Sequence, residues 1–376
     1  MKYNYIDIRR KLHMNPELSW EEFDTSKLIA SALSDLSIKT YKNVAKTGVV
    51  GVLNENSNGK CIVVRADMDA LPLNEKNNIS YKSKKDGAMH ACGHDVHVAA
   101  VLMAADILSS QKEKINGTVK FVFQPAEETT GGALPMIDQG ILENPKASAC
   151  VGFHVRPELE TGKIISSSGK IMASPDSFTI ELSGKGGHCA TPEQNDNLIL
   201  ALSKLINEIS LISYPDSVIS VCTVNAGTVY NIMPSSVKLS GSFRTFEEES
   251  RNKIALDIKK CAEKVAEKFK IKEDTLIEFL YPPLKNDKTL TEILQKSATN
   301  LLGKDNVIKE FNPSYLGEDF AYFGQYVPST YFFLGAKMKD RTTSLHSNEF
   351  DVDERCIEIG AKCIVQFVID YLNNEN

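Results

Sequence analysis

The stretch Met89-His90-Ala91-Cys92-Gly93-His94-Asp95-Val96-His97 runs straight into an apolar segment, Val96 to Ser109, and the two together decide the fold. Ala, Val, Leu, Met and Ile cover much of that segment's circumference, which is the pattern of a helix packed on a sheet. The residues ahead of it crowd a thiol, three imidazoles and a carboxylate together. Such a cluster is costly unless something binds it. Cys92 and His94 are good ligands for a divalent transition ion, and Asp95 can accept the ring N–H of a liganding histidine. The bland alternative is an inert buried cysteine beside surface histidines, and polar residues elsewhere in the chain weigh against it.

Working outward, Gly48 to Asn54, Cys61 to Ala66, Gly117 to Phe123 and Ala149 to His154 read as short strands alternating with longer helical patterns. That alternation predicts a mainly parallel sheet covered by helices. Each strand ends in polar residues: Arg65, Asp67 and Asp69 after the second, Gln124, Glu127 and Glu128 after the third, His154 at the last. Open α/β sheets bind ligands beyond the carboxyl ends of their strands, so a site is expected there.

Near residue 171 the pattern changes. Ser177 to Leu182 alternates as a strand, Asn197 to Ile212 is helical, and Val218 to Val229 and Val237 to Phe243 are strand-like. Glu247 to Phe269 is a long amphipathic helix and Leu276 to Leu280 a short last strand. The order β-α-β-β-α-β predicts a ferredoxin-like α+β domain that interrupts the first. From Pro283 the α/β pattern returns with the helix Leu290 to Leu302, the strand Thr330 to Gly335 and the helix Asp353 to Asn373, and His346 falls in the last loop. The expected domains are 1–170 with 283–376, and 171–282.

At 376 residues two domains are the default. A formal net charge of -6 with no arginine-rich stripe argues against nucleic acid as a partner. No apolar leader or span of membrane length is present, so a cytoplasmic protein without membrane attachment is expected. Eight cysteines scattered through a long chain do not form a disulfide framework. A small molecule is the expected substrate.

Adjacent carboxylates at a strand exit, Glu127 and Glu128, point in different directions, so one can hold a metal while the other serves as general base. Two solvated acids opening a loop would look the same in isolation, but Gly131-Gly132 and the apolar residues after them return this loop directly to packed structure. His154 or His346 alone would be an ordinary satisfied polar residue. With Cys92, His94 and Glu128 they complete an N/O/S set sufficient for two divalent ions, Cys92 bridging as thiolate.

Arg65-Ala66-Asp67-Met68-Asp69-Ala70-Leu71-Pro72, Met89 to His97, Phe123-Gln124-Pro125-Ala126-Glu127-Glu128, Gly186-Gly187-His188, Asn231-Ile232-Met233-Pro234 and Gly317-Glu318-Asp319-Phe320 together resemble the metal-dependent amidohydrolase branch of the aminoacylase and carboxypeptidase family. That branch includes hippurate hydrolases, auxin-conjugate hydrolases and N-acetyl-diaminopimelate deacetylases. The resemblance implies a di-metal exopeptidase-like catalytic domain with a mixed, mainly parallel sheet, interrupted by a ferredoxin-like lid and dimerisation domain. It implies Cys92, His94, Glu128, His154 and His346 as metal ligands, Glu127 as general base and Asp69 as a supporting carboxylate. His188 would reach the partner subunit's site, Asn231 would meet the substrate, and Arg244 would receive the amino acid carboxylate, although a strand-end arginine equally makes a surface pair. The implied reaction is hydrolysis of N-acyl amino acids of N-acetyl or N-benzoyl type. An N-acetyl-diaminopimelate deacetylase of lysine biosynthesis and a dipeptidase or aminopeptidase are the alternatives, while the general base argues against a non-catalytic binding protein. The implied cofactors are two divalent ions per subunit, Zn, Mn, Co or Ni, and the implied assembly a homodimer or tetramer. Thr129-Thr130, Asn225-Ala226-Gly227-Thr228 and Val155-Arg156-Pro157 depart from common patterns and touch acyl and side-chain preference, not the metal set.

Overall fold

The computed structural model describes residues 1–55 and 57–374; the last two residues of the expected first domain lie outside them. The chain folds as two compact units. Met1–Ile171, Lys285–Asn312 and the residues from Asp319 onward form one, and Met172–Leu284 with Pro313–Glu318 the other.

The first unit is an α/β layer structure on an eight-stranded mixed sheet. Its centre is parallel: Gly117–Gln124, Lys60–Asp67, Ala149–Glu160 and Ser329–Lys337 lie side by side in that order. Lys60–Asp67 is buried along almost its whole length, as a strand with helices on both faces must be. Helix His94–Ser110 packs on this sheet with Val96, Val98, Leu102 and Leu108 in one core with Val64, Phe121, Phe153 and the C-terminal helix Arg355–Leu372. The edge strand Lys39–Val44, antiparallel to Gly48–Leu53, was not anticipated. Its Lys-Thr-Tyr-Lys sequence is mostly exposed, and lysines on an edge strand discourage further pairing.

One expectation is corrected here. His154 does not close its strand, which continues to Glu160 because Ser329–Lys337 pairs alongside it, with Phe333 opposite His154 and Gly335 opposite Arg156. The parallel neighbour keeps supplying partners where the apolar run has already ended.

The second unit is a four-stranded antiparallel sheet with helices Leu198–Ser210 and Glu248–Phe269 on it. The strand order is Ser217–Ala226, Ser236–Thr245, Asp176–Ser183, Lys272–Glu278, the ferredoxin-like arrangement. Phe178, Ile180 and Leu182 alternate inward against Leu202, Leu205, Ile254 and Ile258 of the helices. The last strand lies earlier than its apolar residues suggest, because its register runs from Lys272 opposite Ser183 to Glu278 opposite Ser177. All eight cysteines are free thiols. Among the described residues no helix is long and apolar enough to cross a membrane.

Candidate metal centre and active site

Helix His94–Ser110 begins after Gly93, whose φ of 92° is left-handed. A Cβ there would lie 2.4 Å from Cγ2 of Val155, so only glycine lets the helix start press against the strand that carries His154. The result is close approach: Cys92 Sγ is 3.2 Å from His154 Nε2. Nδ1 of His154 lies 2.7 Å from the Val155 carbonyl, and Nδ1 of His94 lies 2.9 Å from the Asp69 carbonyl. A carbonyl only accepts, so each ring carries a proton on Nδ1 and turns Nε2 toward the cluster.

Ligand atoms of Cys92, His94 and His154 lie within 4.8 Å of one another, as do those of Cys92, Glu128 and His346, and those of His94, Glu127 and Glu128. The structure thus brings Cys92, His94, Glu127, Glu128, His154 and His346 into overlapping groups. Nε2 of His94 and Oε1 of Glu128 are buried without a hydrogen-bond partner. Oε1 of Glu128 sits 3.3 Å from His346 Nε2 and 3.9 Å from His94 Nε2. Buried polar atoms are rarely left unsatisfied, and a cation among these donors would satisfy both.

The electrostatics agree with that fit. Burial pushes the His94 imidazole down, but the carboxylates of Asp67, Asp69 and Glu128 overturn this and hold it up at about 10. Burial, then the charges of Glu128 and Glu127, push the Cys92 thiol well up. Burial and the neighbouring His97 drive His154 well down, so its ring is neutral. The carboxylates of Asp67, Asp69, Glu127 and Glu128 thus concentrate negative charge on the candidate ligands, which is the setting a divalent ion resolves.

Asp69 is the hinge between the two sides of the cluster. Its Oδ1 accepts the N–H of Glu127 and its Oδ2 the N–H of Glu128, each at 3.1 Å, while His94 hangs from its carbonyl. Burial raises this carboxyl, but His94, the Ser19 hydroxyl and the Glu128 N–H outweigh burial and hold it below the usual range.

Several further residues support the cluster, and of these Arg9 and His13 escaped the sequence reading. Nδ1 of His97 donates to Asp67 Oδ1 at 2.6 Å, and Nε2 accepts the Val155 N–H at 3.0 Å, so the ring ties the end of strand Lys60–Asp67 to the strand that carries His154. Arg65, fully buried, bonds Gln124, Asp67 and Asp319. Behind the helix start, Arg9 Nε lies 2.8 Å from Asp95 Oδ2, and His13 Nδ1 is 2.8 Å from the same oxygen. The signal for Arg65 and Asp67 was their two-residue spacing with Asp69 at a strand exit; Arg9 and His13 carried none, being distant in sequence from the residues they hold.

His188, Asn231 and Arg244 belong to the second unit. Ile232 pairs with His188 and Met233 with Gly187 in a short ribbon, and the Cys189 N–H donates to the Asn231 carbonyl at 3.1 Å, so His188 and Asn231 are neighbours. The Ala190 N–H donates to Nδ1 of the exposed His188, which leaves Nε2 as the protonated, donating nitrogen. Arg244 donates from Nη1 to the Tyr315 carbonyl at 2.7 Å.

Residues 63–370 match the family model described as peptidase family M20/M25/M40. The chain belongs to this family. Within it, thermostable carboxypeptidase 2 of Saccharolobus solfataricus is 36% identical over 380 residues, 98% of this chain and 95% of its own. N-acetyl-L-cysteine deacetylase of Bacillus subtilis is 36% identical over 358 residues, 94% of this chain and 84% of its own. Among solved structures, the YXEP protein of Bacillus subtilis, a dinuclear metal-binding peptidase of the M20 family, aligns with a TM-score of 0.87 at 31% identity over 98% of this chain and 97% of its own. With the clustered ligands, these matches make the chain a metal-dependent amidohydrolase.

Proposed function

We propose that this M20 hydrolase cleaves N-acyl amino acids, of N-acetyl or N-benzoyl type, into a carboxylate and a free amino acid. Two divalent ions, Zn, Mn, Co or Ni, would be held by Cys92, His94, Glu128, His154 and His346. The observation that carries the reaction class is the pair of buried, unbonded ligand atoms, His94 Nε2 and Glu128 Oε1, beside Glu127. The deacetylase named above supports the acyl substrate, and the carboxypeptidase makes peptides the competing class.

Bound ions would supply Lewis acidity for the scissile carbonyl and acidify water. Glu127 takes a proton from the attacking water as its oxygen joins the carbonyl carbon. The same carboxyl then delivers that proton to the amide nitrogen as the C–N bond breaks, so base and acid are one residue. Asp69, bonded to the N–H of both glutamates, keeps Glu127 and Glu128 from exchanging places. His188, with Nε2 as donor, stabilises the oxyanion, Asn231 meets the substrate and Arg244 takes the free α-carboxylate. The residues 171–282 act as the lid and carry the homodimer contact through an exposed sheet edge, Ser217–Ala226.

Release of free amine from N-acetyl, N-benzoyl, N-fatty-acyl and dipeptide substrates, with each metal supplied, tests the substrate class. Turnover of dipeptides alone would replace this reading with a peptidase. For the lid, mixing His188→Ala with Glu127→Gln should restore partial activity through heterodimers that combine one intact Glu127 with the partner's intact His188. A monomer by light scattering, or verified subunit exchange without recovery, removes the cross-subunit role.

A further inference from the structure

Pro16-Glu17-Leu18-Ser19-Trp20-Glu21-Glu22 joins helix Tyr5–Met14 to helix Phe23–Asp35 and carries no part assigned above except the Ser19 hydroxyl on Asp69. Its course is set locally. The Glu17 carboxylate accepts the N–H of Asp24 and of Thr25, at 3.1 and 2.7 Å, and so caps the second helix. The Glu17 carbonyl accepts the Ala70 N–H at 2.8 Å, next to Asp69. Further on, Trp20 Nε1 donates to Thr130 Oγ1 at 2.9 Å, within the loop that carries Glu127 and Glu128.

Two non-glycine residues hold left-handed backbone across this contact, Trp20 with φ 68° and Ala126 with φ 54°. L-residues keep such angles only where their surroundings over-determine them. One atom serves both: Oε1 of Glu22 accepts the N–H of Trp20 and the N–H of Ala126, each at 2.9 Å. Oε2 accepts the Thr47 hydroxyl at 2.6 Å, and the Glu22 side chain is fully buried. Ala126 directly precedes Glu127, so its φ sets the direction in which both glutamates leave the strand Gly117–Gln124.

We propose that Glu22 is a positioning residue, which holds Ala126 and Trp20 in left-handed backbone and thereby aims Glu127 at the substrate and Glu128 at the ligand cluster. Trp20 braces the same loop directly through Thr130, and Ser19 braces it through Asp69, which accepts the N–H of both glutamates. The proposal rests on the reading of Glu127 as general base.

Glu22→Gln keeps an acceptor oxygen for both N–H groups and offers an amide N–H to the Thr47 oxygen, whereas Glu22→Ala removes everything. A misaimed base costs turnover before it costs binding, so kcat of Glu22→Ala should fall about 10- to 100-fold with KM little changed. Glu22→Gln should return kcat to near the wild-type value. In the Glu22→Ala background, Ala126→Gly should recover part of the loss, because glycine takes the left-handed angle without a Cβ penalty. Trp20 is the one tryptophan of the chain. Its emission in the metal-free protein should shift in Glu22→Ala and stay in place in Glu22→Gln, a reading independent of turnover.

Glu22→Gln as impaired as Glu22→Ala, or Glu22→Ala with wild-type kcat and unshifted emission, overturns the proposal. Should Glu22→Ala not fold, Thr130→Val removes the indole's acceptor alone: lowered kcat with shifted emission supports the brace, and wild-type values of both overturn it. If Glu127→Gln keeps its turnover, the base assignment fails by itself. An absent emission shift in metal-free Glu22→Ala defeats the brace whatever Glu127 does.

Discussion

The ligand cluster of the first unit has two halves, built by different means. Cys92, His94 and His154 sit at the start of a buried helix and in a buried strand, with exposures of 6%, 1% and 8%. Their places follow from hydrophobic packing and from Gly93 against Val155. Glu127, Glu128 and His346 sit on loops held by hydrogen bonds: Asp69 takes the N–H of both glutamates, and the His346 N–H donates to the Ala91 carbonyl at 2.8 Å. The His346 side chain is 54% exposed. An outer group can therefore be changed with the core intact, while a change behind the inner half disturbs packing. Turnover and metal occupancy should follow individual outer residues, and stability the inner half.

The largest expected effect separates the two adjacent glutamates. Glu127→Gln should retain metal and melting temperature yet lose turnover by about 10³-fold, within the range of a lost general base. Glu128→Gln should lose metal, because it removes a ligand and leaves the base. Elemental analysis of both variants decides this, and equal metal loss would break the division of roles. Wild-type protein should bind up to two divalent ions per chain and lose all activity in chelator. An active sample free of divalent metal would undo the cluster reading altogether.

Next in size is the support behind the inner half. Arg9 is fully buried, with Nε 2.8 Å from Asp95, Nη2 3.0 Å from Asp351 and Nη1 3.2 Å from Glu354. Arg9→Met leaves buried carboxylates without their cation, a change that costs about 3–5 kcal/mol when one partner of a buried pair is removed. Denaturant unfolding at neutral pH measures it. A loss below about 1 kcal/mol, the usual scale of a surface pair, would show that apolar packing alone holds the helix start.

The alternation of apolar strands with the apolar helix after Gly93 made the first unit's layers legible, since a helix apolar on most sides must be buried and the strands on either side of it in the chain supply the sheet that buries it. The β-α-β-β-α-β order did the same for the second unit. Cys92, His94, Glu127 and Glu128 were legible because ligand-type residues stood together at element ends. His154 was legible as a residue but not in its place, since a parallel neighbour far away in the chain extends its strand. Arg9, His13 and Glu22 look like ordinary charges on helical segments. Their roles arise from contacts that no local pattern encodes: Arg9 and His13 meet Asp95, 86 and 82 positions away, and Glu22 meets Ala126, 104 positions away. Likewise the left-handed angle at Ala126 is invisible in a residue that usually avoids it.

The smallest expected effect concerns His13, and it sharpens the comparison by pH. The ring is buried between Asp95, 2.8 Å from Nδ1, and Glu75, 3.3 Å from Nε2. Burial and the nearby Arg9 charge push the imidazole down, but Asp95 and Glu75 together prevail and raise it above its ordinary value. A raised folded value means that the charged ring stabilises the fold fully below the unfolded value of about 6.5, and that this contribution is lost as pH rises through the folded value. The stability difference between wild type and His13→Gln should thus be greatest at pH 6 and narrow as the pH rises beyond about 6.5. Comparing the two proteins at each pH cancels every group they share. A difference that widens with pH would mean that the folded ring is neutral, and that Arg9 alone supplies the positive charge behind the inner half.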